Sequence, residues 1–187
     1  MNETALIGHA QAGDRSAFDA LYALHHAAVV TRLSHLCGPG MQVDDLVQDT
    51  FIRAYRSLKR FRGDCPFAWW LLRIATHVAR SQYRSLRRSL WRLFSGRDEE
   101  AALSDRGASS QPELTSVHAA LRKLSPKLRE AVVLHELEGR TLLEIAGEQE
   151  VSLHTIAARV RRGREQLRAL LDDSELALSP CIEEVRR

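Results

Sequence analysis

Residues 141–168 read TLLEIAGEQEVSLHTIAARVRRGREQLR, and this stretch decides the fold of the C-terminal half of the chain. Its apolar spacing predicts a first helix over residues 141–146, a turn at residues 150–152 with Ser152 as the N-cap, and a second helix over residues 153–170. Five residues supply the packing: Ile145, Ala146, Val151, Ile156 and Val160. The pattern is typical of a helix-turn-helix, whose second helix enters the major groove of DNA. Many antiparallel helix pairs share this spacing, so a purely structural pair is the alternative.

The rest of the chain also has helical periodicity. Apolar residues recur at three- and four-residue steps, and alternating strand patterns are absent, which predicts an all-helical protein. Gly38-Pro39-Gly40 and Arg62-Gly63-Asp64 interrupt the periodicity, as turn-forming residues do. The predicted helical segments before the C-terminal half are residues 16–37, 44–59 and 66–93.

The composition changes at residues 95–112, which read SGRDEEAALSDRGASSQP. Glycine, serine and acidic residues with few large apolar groups are typical of a flexible linker. We therefore predict an all-α protein with two small helical domains, the second containing the helix-turn-helix. The predicted boundaries are residues 1–94 for the first domain, 95–112 for the linker, 113–172 for the second domain and 173–187 for a short C-terminal tail.

Several classes of protein are disfavoured by composition and motifs. The three cysteines, Cys37, Cys65 and Cys181, form no C-x-x-C motif, which disfavours a disulfide framework and suits a reducing cytoplasm. The longest apolar run, residues 65–72, is too short for a membrane span, and no signal peptide is visible. Phosphate-loop, dinucleotide and zinc-protease motifs are absent, so we expect no enzyme, no catalytic residue and no cofactor. His25, His26, His35 and Cys37 leave a metal site open, but surface histidines are the commoner outcome and we expect no metal.

Positive charge is concentrated in two segments. The 27 Lys and Arg residues exceed the 24 Asp and Glu residues by only three. Residues 65–97, however, contain no acid and seven arginines, namely Arg73, Arg80, Arg84, Arg87, Arg88, Arg92 and Arg97. The second cluster contains one acid, Glu165, and five arginines: Arg159, Arg161, Arg162, Arg164 and Arg168. A solvated face would explain one such helix, but two arginine-rich helices without lysine favour phosphate binding, because guanidinium groups bind phosphate bidentately.

The first basic helix has an aromatic residue on its outward face. Its buried stripe is predicted to hold Phe67, Trp70, Leu71, Ile74 and Val78. The outward stripe holds Trp69, Arg73, His77, Arg80, Arg84 and Arg87. An aromatic ring beside a basic track stacks on unpaired bases, at about 1–3 kcal/mol per base. Packing of Trp69 against another helix is the alternative.

The helix predicted over residues 44–59 is acidic at its start. Its buried stripe is predicted to hold Val47, Phe51, Ala54, Tyr55 and Leu58, and its outward face to hold Asp45, Gln48, Asp49, Ile52, Arg53 and Arg56. Asp44 and Asp45 suit the positive end of the helix dipole, which is one explanation of their presence. The other is a face that docks on a protein, because acids that faced DNA would be repelled.

These segments, in this order, resemble the extracytoplasmic-function (ECF) group of bacterial RNA polymerase sigma factors. Residues 43–80, VDDLVQDTFIRAYRSLKRFRGDCPFAWWLLRIATHVAR, are similar to the second conserved region of that family. LRKLSPKLREAVVLHELEGRTLLEIA at 121–146 and VSLHTIAARVRRGREQLR at 151–168 are similar to the fourth. Ala12-Gly13-Asp14 and Phe18 extend the resemblance towards the N-terminus.

The resemblance implies a role for each segment. Asp45, Gln48, Asp49 and Arg53 would dock on the clamp helices of the polymerase β′ subunit, and the polymerase β subunit is a further expected contact. Six residues in the loop at 62–65 and on the outward face of the first basic helix would read and open the −10 promoter element and capture a flipped base. These −10 residues are Arg62, Trp69, Arg73, His77, Arg80 and Arg84. The second helix of the helix-turn-helix would bind the −35 element through Thr155, Arg159, Arg161 and Arg162. An anti-sigma protein is the further partner that the resemblance implies.

The sequence departs from the family pattern at three places. Many relatives have Asn where His77 stands, and most have an apolar residue and Gly where this chain has Gln149-Glu150. A residue other than Gly at that bend carries backbone strain. Ala157-Ala158 replaces a polar pair, so we expect the −35 element to be read through phosphates and DNA shape more than through base edges.

Two other classes of function compete with a sigma factor. A stand-alone helix-turn-helix regulator would bind its operator as a dimer, but no dimerisation seam is evident and the acidic helix would have no role. A pure protein-interaction module would leave both arginine clusters without a function. Binding of core polymerase separates the sigma factor from both.

Overall fold

A computed structural model describes residues 2–38, 43–93 and 112–172, and the regular elements in these ranges are all helical. The helices are α1 (Glu3–Gln11), α2 (Arg15–Cys37), α3 (Val43–Ser57), α4 (Phe67–Leu93), α5 (Pro112–Lys123), α6 (Pro126–Val132), α7 (Leu142–Gln149) and α8 (Leu153–Asp172). A 3₁₀ turn at Leu58–Arg60 follows α3, and a π turn at Val133–Leu137 follows α6. The prediction of an all-α protein is confirmed.

The described residues form two compact units. Residues 2–34 and 43–93 belong to the first unit, and residues 35–38 and 112–172 belong to the second. The prediction of two small helical domains is confirmed, while the predicted boundaries stay predictions. The predicted linker lies outside the described residues except for Pro112, which begins α5, and the predicted tail at 173–187 lies outside them entirely.

The core of the first unit lies between α2, α3 and α4. Each helix contributes one apolar stripe, and the most buried members are Leu21, Val29, Leu33, Val47, Ala54, Leu71 and Ala75. Arg32 is also buried, and its guanidinium donates from Nη1 to Oγ1 of Thr76 on α4 at 2.8 Å. A hydrogen bond offsets part of the free-energy cost of removing a cation from water. Because this bond joins a residue of α2 to a residue of α4, it also holds the two helices together.

Most of the buried stripe that the sequence predicts on α3 is confirmed, but the prediction for Tyr55 is wrong. Val47, Phe51, Ala54 and Leu58 are buried, whereas Tyr55 is 42% exposed. The Tyr55 ring lies edge-on to Phe18 with ring centroids 4.9 Å apart. It therefore covers the rim of the core, where a tyrosine can keep its hydroxyl in water.

The junction between α1 and α2 is a tight turn with a carboxylate cap. Gly13 has a positive φ of 103°, which glycine adopts without steric cost. Oδ1 of Asp14 accepts hydrogen bonds from the backbone N–H of Ser16 at 2.9 Å and from its hydroxyl at 2.7 Å. These bonds lower the pKa of the Asp14 carboxyl below its ordinary value of 3.8, with the Ser16 hydroxyl as the largest cause.

The second unit is built around the helix-turn-helix. Its core holds Ala131, Leu134, Ile145, Ala146, Ile156 and Val160, with Leu142 and Val151 partly buried against it. The packing that the sequence predicts for this motif is therefore confirmed. At Gly163, α8 approaches α6 so closely that a Cβ atom there would overlap Cγ2 of Val132.

Two of the histidines considered as possible metal ligands, His25 and His26, contact other side chains. Nε2 of His25 lies 2.8 Å from Oε1 of Glu3, which ties α2 to α1. The His26 ring packs on Tyr22 with centroids 5.1 Å apart. Within the described ranges, no group of three or more His, Cys, Asp or Glu side chains is arranged to hold a metal ion, and no helix there is long and apolar enough to cross a membrane.

Candidate nucleic-acid interface and docking face

A capping box starts the first helix of the helix-turn-helix. Oγ1 of Thr141 accepts from the Glu144 N–H at 3.3 Å, and Oε2 of Glu144 accepts from the Thr141 N–H at 2.9 Å. These bonds lower the pKa of the Glu144 carboxyl below its ordinary value of 4.5, and the backbone hydrogen bond from Thr141 is the largest cause. Helix α7 runs from Leu142 to Gln149, so the sequence placed its start within one residue but its end three residues too early.

The bend between α7 and α8 is left-handed at Glu150. Its φ and ψ are 54° and 42°. Among the described residues, the others with positive φ are all glycines. The Val151 N–H donates to the Ala146 carbonyl at 3.1 Å, which closes the end of α7 as glycine-type caps do. The strain predicted from the absence of glycine is therefore present at Glu150.

Ser152 caps the recognition helix α8 as the sequence predicts. Its Oγ accepts from the Thr155 N–H at 3.2 Å and lies 2.8 Å from the Thr155 hydroxyl. Thr155 is partly buried and is thus engaged with the cap. The first turn also exposes Leu153, at 49%, and His154. Leu153 and His154 were not among the predicted site residues, although a position just after an N-cap is the local signal that indicates them.

The three arginines expected to bind the −35 element differ in their surroundings. Arg161 and Arg162 are exposed on α8, whereas Arg159 is partly buried. Nη1 of Arg159 donates to Oε1 of Gln149 at 2.8 Å. Arg164, one helical turn further along, donates from Nε to Oε1 of Glu136 at 2.5 Å. Of the three arginines predicted to bind the −35 element, Arg161 and Arg162 are therefore the exposed ones, and Arg159 is held at the turn.

Helix α4 presents the predicted aromatic and basic face. Trp69 is 38% exposed, Arg73, His77 and Arg84 are exposed, and Arg80 is partly buried. The side chain of Arg87 lies outside the described residues. From Trp69 to Arg84 the face extends for about 22 Å along the helix, which is the length of several nucleotides. On the opposite side Phe67, Leu71 and Val78 are buried, and Trp70 and Ile74 are partly buried.

The loop before α4 is anchored at its N-terminal end. Nε2 of Gln11 donates to the carbonyl oxygens of Leu58 at 3.0 Å and Phe61 at 2.8 Å. The Phe61 ring then packs on Trp70 with centroids 5.1 Å apart, which supports a structural role for Trp70. Between these anchors and α4, Arg62 is exposed. No local signal pointed to Gln11, because its partners lie 47 and 50 residues away.

The acidic face lies on the outside of α3. Asp45, Gln48 and Arg53 are exposed and Asp49 is partly buried. Arg53 binds Asp49 through two bonds, Nε to Oδ1 at 2.9 Å and Nη2 to Oδ2 at 2.8 Å. Ile52 lies on the same helix and is 49% exposed. A partner protein would meet a mixed surface with one ordered ion pair and one exposed aliphatic side chain.

Known proteins share both halves of this architecture. The profile of Sigma-70 region 2 matches residues 21–89, and that of Sigma-70, region 4 matches residues 114–167. The chain is 35% identical over 182 residues to RNA polymerase sigma factor CnrH of Cupriavidus metallidurans, which covers 91% of this chain and 95% of the relative. It is 32% identical over 178 residues to the ECF RNA polymerase sigma-E factor of Escherichia coli K12, covering 89% and 93%.

Solved structures of similar fold come from complexes. The structure of CnrH with the cytosolic domain of CnrY has a TM-score of 0.66 at 33% identity, and the match covers 90% of this chain and 96% of that one. The sigma factor RpoE of Bartonella quintana, solved with the anti-sigma factor NepR, also has a TM-score of 0.66 at 25% identity, covering 83% and 96%.

Proposed function

Since the chain belongs to the sigma-70 family of RNA polymerase sigma factors, in its ECF group, we propose that it binds core RNA polymerase and directs it to promoters through separate −10 and −35 surfaces. The observation that carries the proposal is the pair of arginine-rich helix faces, one on α4 and one on α8. Each compact unit holds one of them. Transcription initiation is the activity of the family, which acts on polymerase in the cytoplasm and is regulatory rather than enzymatic.

The α4 face opens and reads the −10 element. Trp69 offers a ring on which an unpaired base stacks, and the neighbouring Arg73, His77, Arg80 and Arg84 neutralise the phosphates of the separated strand. Stacking is worth about 1–3 kcal/mol per base, which offsets part of the cost of unpairing. Arg62, exposed in the loop that precedes α4, contacts the same strand.

The α8 surface binds the −35 element. Helix-turn-helix proteins place the N-terminal part of the recognition helix in the major groove, and here that part carries Thr155 and Arg159, with Arg161 and Arg162 one turn further along. Arg161 and Arg162 are exposed and suit phosphate contacts, which position a protein without reading sequence. Few base-edge donors remain at Ala157-Ala158, so DNA shape contributes to the choice of site.

The acidic face of α3 docks on polymerase, through Asp45, Gln48, Asp49 and Arg53, against the β′ clamp helices. If the predicted linker of 18 residues (95–112) is a flexible coil, it would extend to at most about 59–65 Å and average roughly 23 Å. Two turns of DNA cover about 68–72 Å, so the free chain seldom holds both surfaces at promoter spacing. Polymerase and its β subunit fix that spacing, and we expect the isolated chain to bind promoters weakly.

An anti-sigma protein is the second partner that we propose. The similar structures are those of CnrH with CnrY and of RpoE with the anti-sigma factor NepR. Such a partner acts by covering surfaces that polymerase needs. The exposed side chains of α3, including Ile52 at 49%, are available to it when polymerase is absent.

In vitro transcription with core polymerase and a genomic promoter library tests the proposal. The wild-type chain should yield transcripts from a defined promoter class, and its gel shift without polymerase should be weak. Asp45→Arg combined with Asp49→Arg should abolish pull-down of core polymerase, whereas Asp19→Arg, an exposed acid on α2, serves as the matched control. Nanomolar, sequence-specific binding by the isolated chain would favour a stand-alone helix-turn-helix regulator, and polymerase binding that survives the double change would remove the α3 face from docking.

A further inference from the structure

A chain of polar side chains connects three helices through the turn of the helix-turn-helix. Glu130 on α6 is buried at 6% exposure, Gln149 is the last residue of α7, and Arg159 lies in the second turn of α8. Nε2 of Gln149 donates to Oε1 of Glu130 at 2.9 Å, and Nη1 of Arg159 donates to Oε1 of Gln149 at 2.8 Å. One amide therefore bridges a buried acid and a cation of the recognition helix.

The two neighbours fix the orientation of this amide. A guanidinium only donates hydrogen bonds and an ionised carboxylate only accepts them, so the Gln149 oxygen must face Arg159 and its NH₂ must face Glu130. Both bonds involve a charged group, and such bonds are roughly twice as strong as neutral ones. Because Glu130 is held in the core, the guanidinium of Arg159 is connected to a rigid point.

We propose that Gln149 is a positioning residue, which holds Arg159 at the turn and thereby sets how sharply α8 distinguishes one −35 sequence from another. The inference rests on the proposed function, in which Arg159 meets promoter DNA. An unrestrained arginine has large rotamer freedom and can follow a displaced phosphate or base. When Gln149 holds one N–H of Arg159, the other guanidinium donors meet DNA from a fixed position. A promoter whose phosphates or bases do not match that position is then bound less tightly.

Gln149→Met tests the inference with little change in shape. Methionine keeps the length and the helix propensity of glutamine but loses the donor and the strong acceptor. The assay is in vitro transcription by holoenzyme from a promoter library randomised at the −35 element, which reports the preference at every base position of that element. We expect the preference at one or two base positions to fall about three- to tenfold, which corresponds to the net contribution of one typical hydrogen bond. Gln166→Met, at an exposed site of α8, is the matched control.

A double-mutant cycle decides whether Gln149 acts through Arg159. In an Arg159→Ala background, Gln149→Met should change the −35 preference no further. An unchanged preference with Gln149→Met alone, or an equal loss in both backgrounds, would overturn the inference. Thermal melting checks each variant, and Gln149→Leu, which loses the same bonds, replaces the methionine variant if that one is unstable.

Failure of the proposed function has a different signature. If Arg159→Ala leaves the −35 preference intact while the library still yields a −35 motif, the role of Arg159 is wrong and the inference falls, although the chain remains a sigma factor. If the wild-type chain yields no −35 motif at all, the proposed function itself fails.

Discussion

Replacing Glu150 with glycine should stabilise the second unit, because Glu150 has the left-handed backbone angles of 54° and 42°. An L-residue in this conformation costs roughly 1–2 kcal/mol, whereas glycine adopts it freely but loses about 0.5–1 kcal/mol more conformational entropy on folding. The difference predicts a gain of about 0.5–1 kcal/mol for Glu150→Gly. For a domain of this size that gain raises Tm by roughly 2–8 °C.

The assay must report on the second unit alone, since a protein of two units need not unfold in one step. All three tryptophans, at positions 69, 70 and 91, lie in the N-terminal half, so their fluorescence does not follow α7 and α8. Hydrogen exchange of the amides in residues 142–172 does. Glu150→Gly should slow the exchange of the most protected of these amides about two- to fivefold, which is the stated gain converted to an equilibrium constant.

Glu150→Ala separates the backbone from the charge. Alanine removes the carboxylate but keeps the Cβ atom that makes the left-handed conformation unfavourable, so we expect its stability to stay within about 0.5 kcal/mol of wild type. Equal stabilisation by alanine and glycine would assign the effect to charge and refute the backbone argument. Faster exchange with glycine would refute it as well.

Three further changes test other parts of the molecule. Gly163→Ala places a methyl group against Val132 Cγ2 and should lower the free energy of unfolding by about 1–3 kcal/mol, measured with denaturant. Val132→Ala in the same chain should recover part of that loss. A Gly163→Ala variant as stable as wild type would show that α6 and α8 separate easily. The capping bonds hold the pKa of the Glu144 carboxyl below its ordinary value of 4.5, so its contribution to stability is complete above that pH and is lost as the pH falls through the folded-state pKa. Glu144→Gln should therefore flatten this part of the acid-unfolding curve, and a superimposable curve would contradict the assignment. Trp69→Ala combined with Arg80→Ala should leave duplex binding by the holoenzyme intact but lower permanganate reactivity at the −10 element, and unchanged reactivity would remove this face from strand opening.

Local patterns were enough to predict the long helices and the turn of the helix-turn-helix, although α1 (Glu3–Gln11) was not among the predicted segments. Apolar spacing predicted α8 to within two residues of its end, and the absence of glycine at the bend predicted the strain found at Glu150. Both features depend on residues that are close in sequence. The wrong prediction for Tyr55 has a similar origin, because a helical wheel gives direction but not the depth of the core beneath it.

Contacts between distant residues were beyond such patterns. Gln11 and its carbonyl partners are 47 and 50 residues apart, and Gln149 and Glu130 are 19 apart. A glutamine at a helix end has no local signature that distinguishes a bridge from a solvated side chain. On α3 and α4, most residues predicted to face outward are exposed, whereas Asp49 and Arg80 are partly buried. The DNA and polymerase roles of these residues remain proposals.

Helix α8 keeps its packing residues and its outward residues on different sides. Ile156, Val160 and Gly163 are buried against the rest of the unit, while His154 and Arg161 are exposed. Under the proposed function, substitutions at the exposed positions change target preference and leave the core unchanged, so preference would diverge between gene copies faster than the scaffold does. On the same premise, this helix is a practical starting point for engineering sets of regulators that do not cross-react.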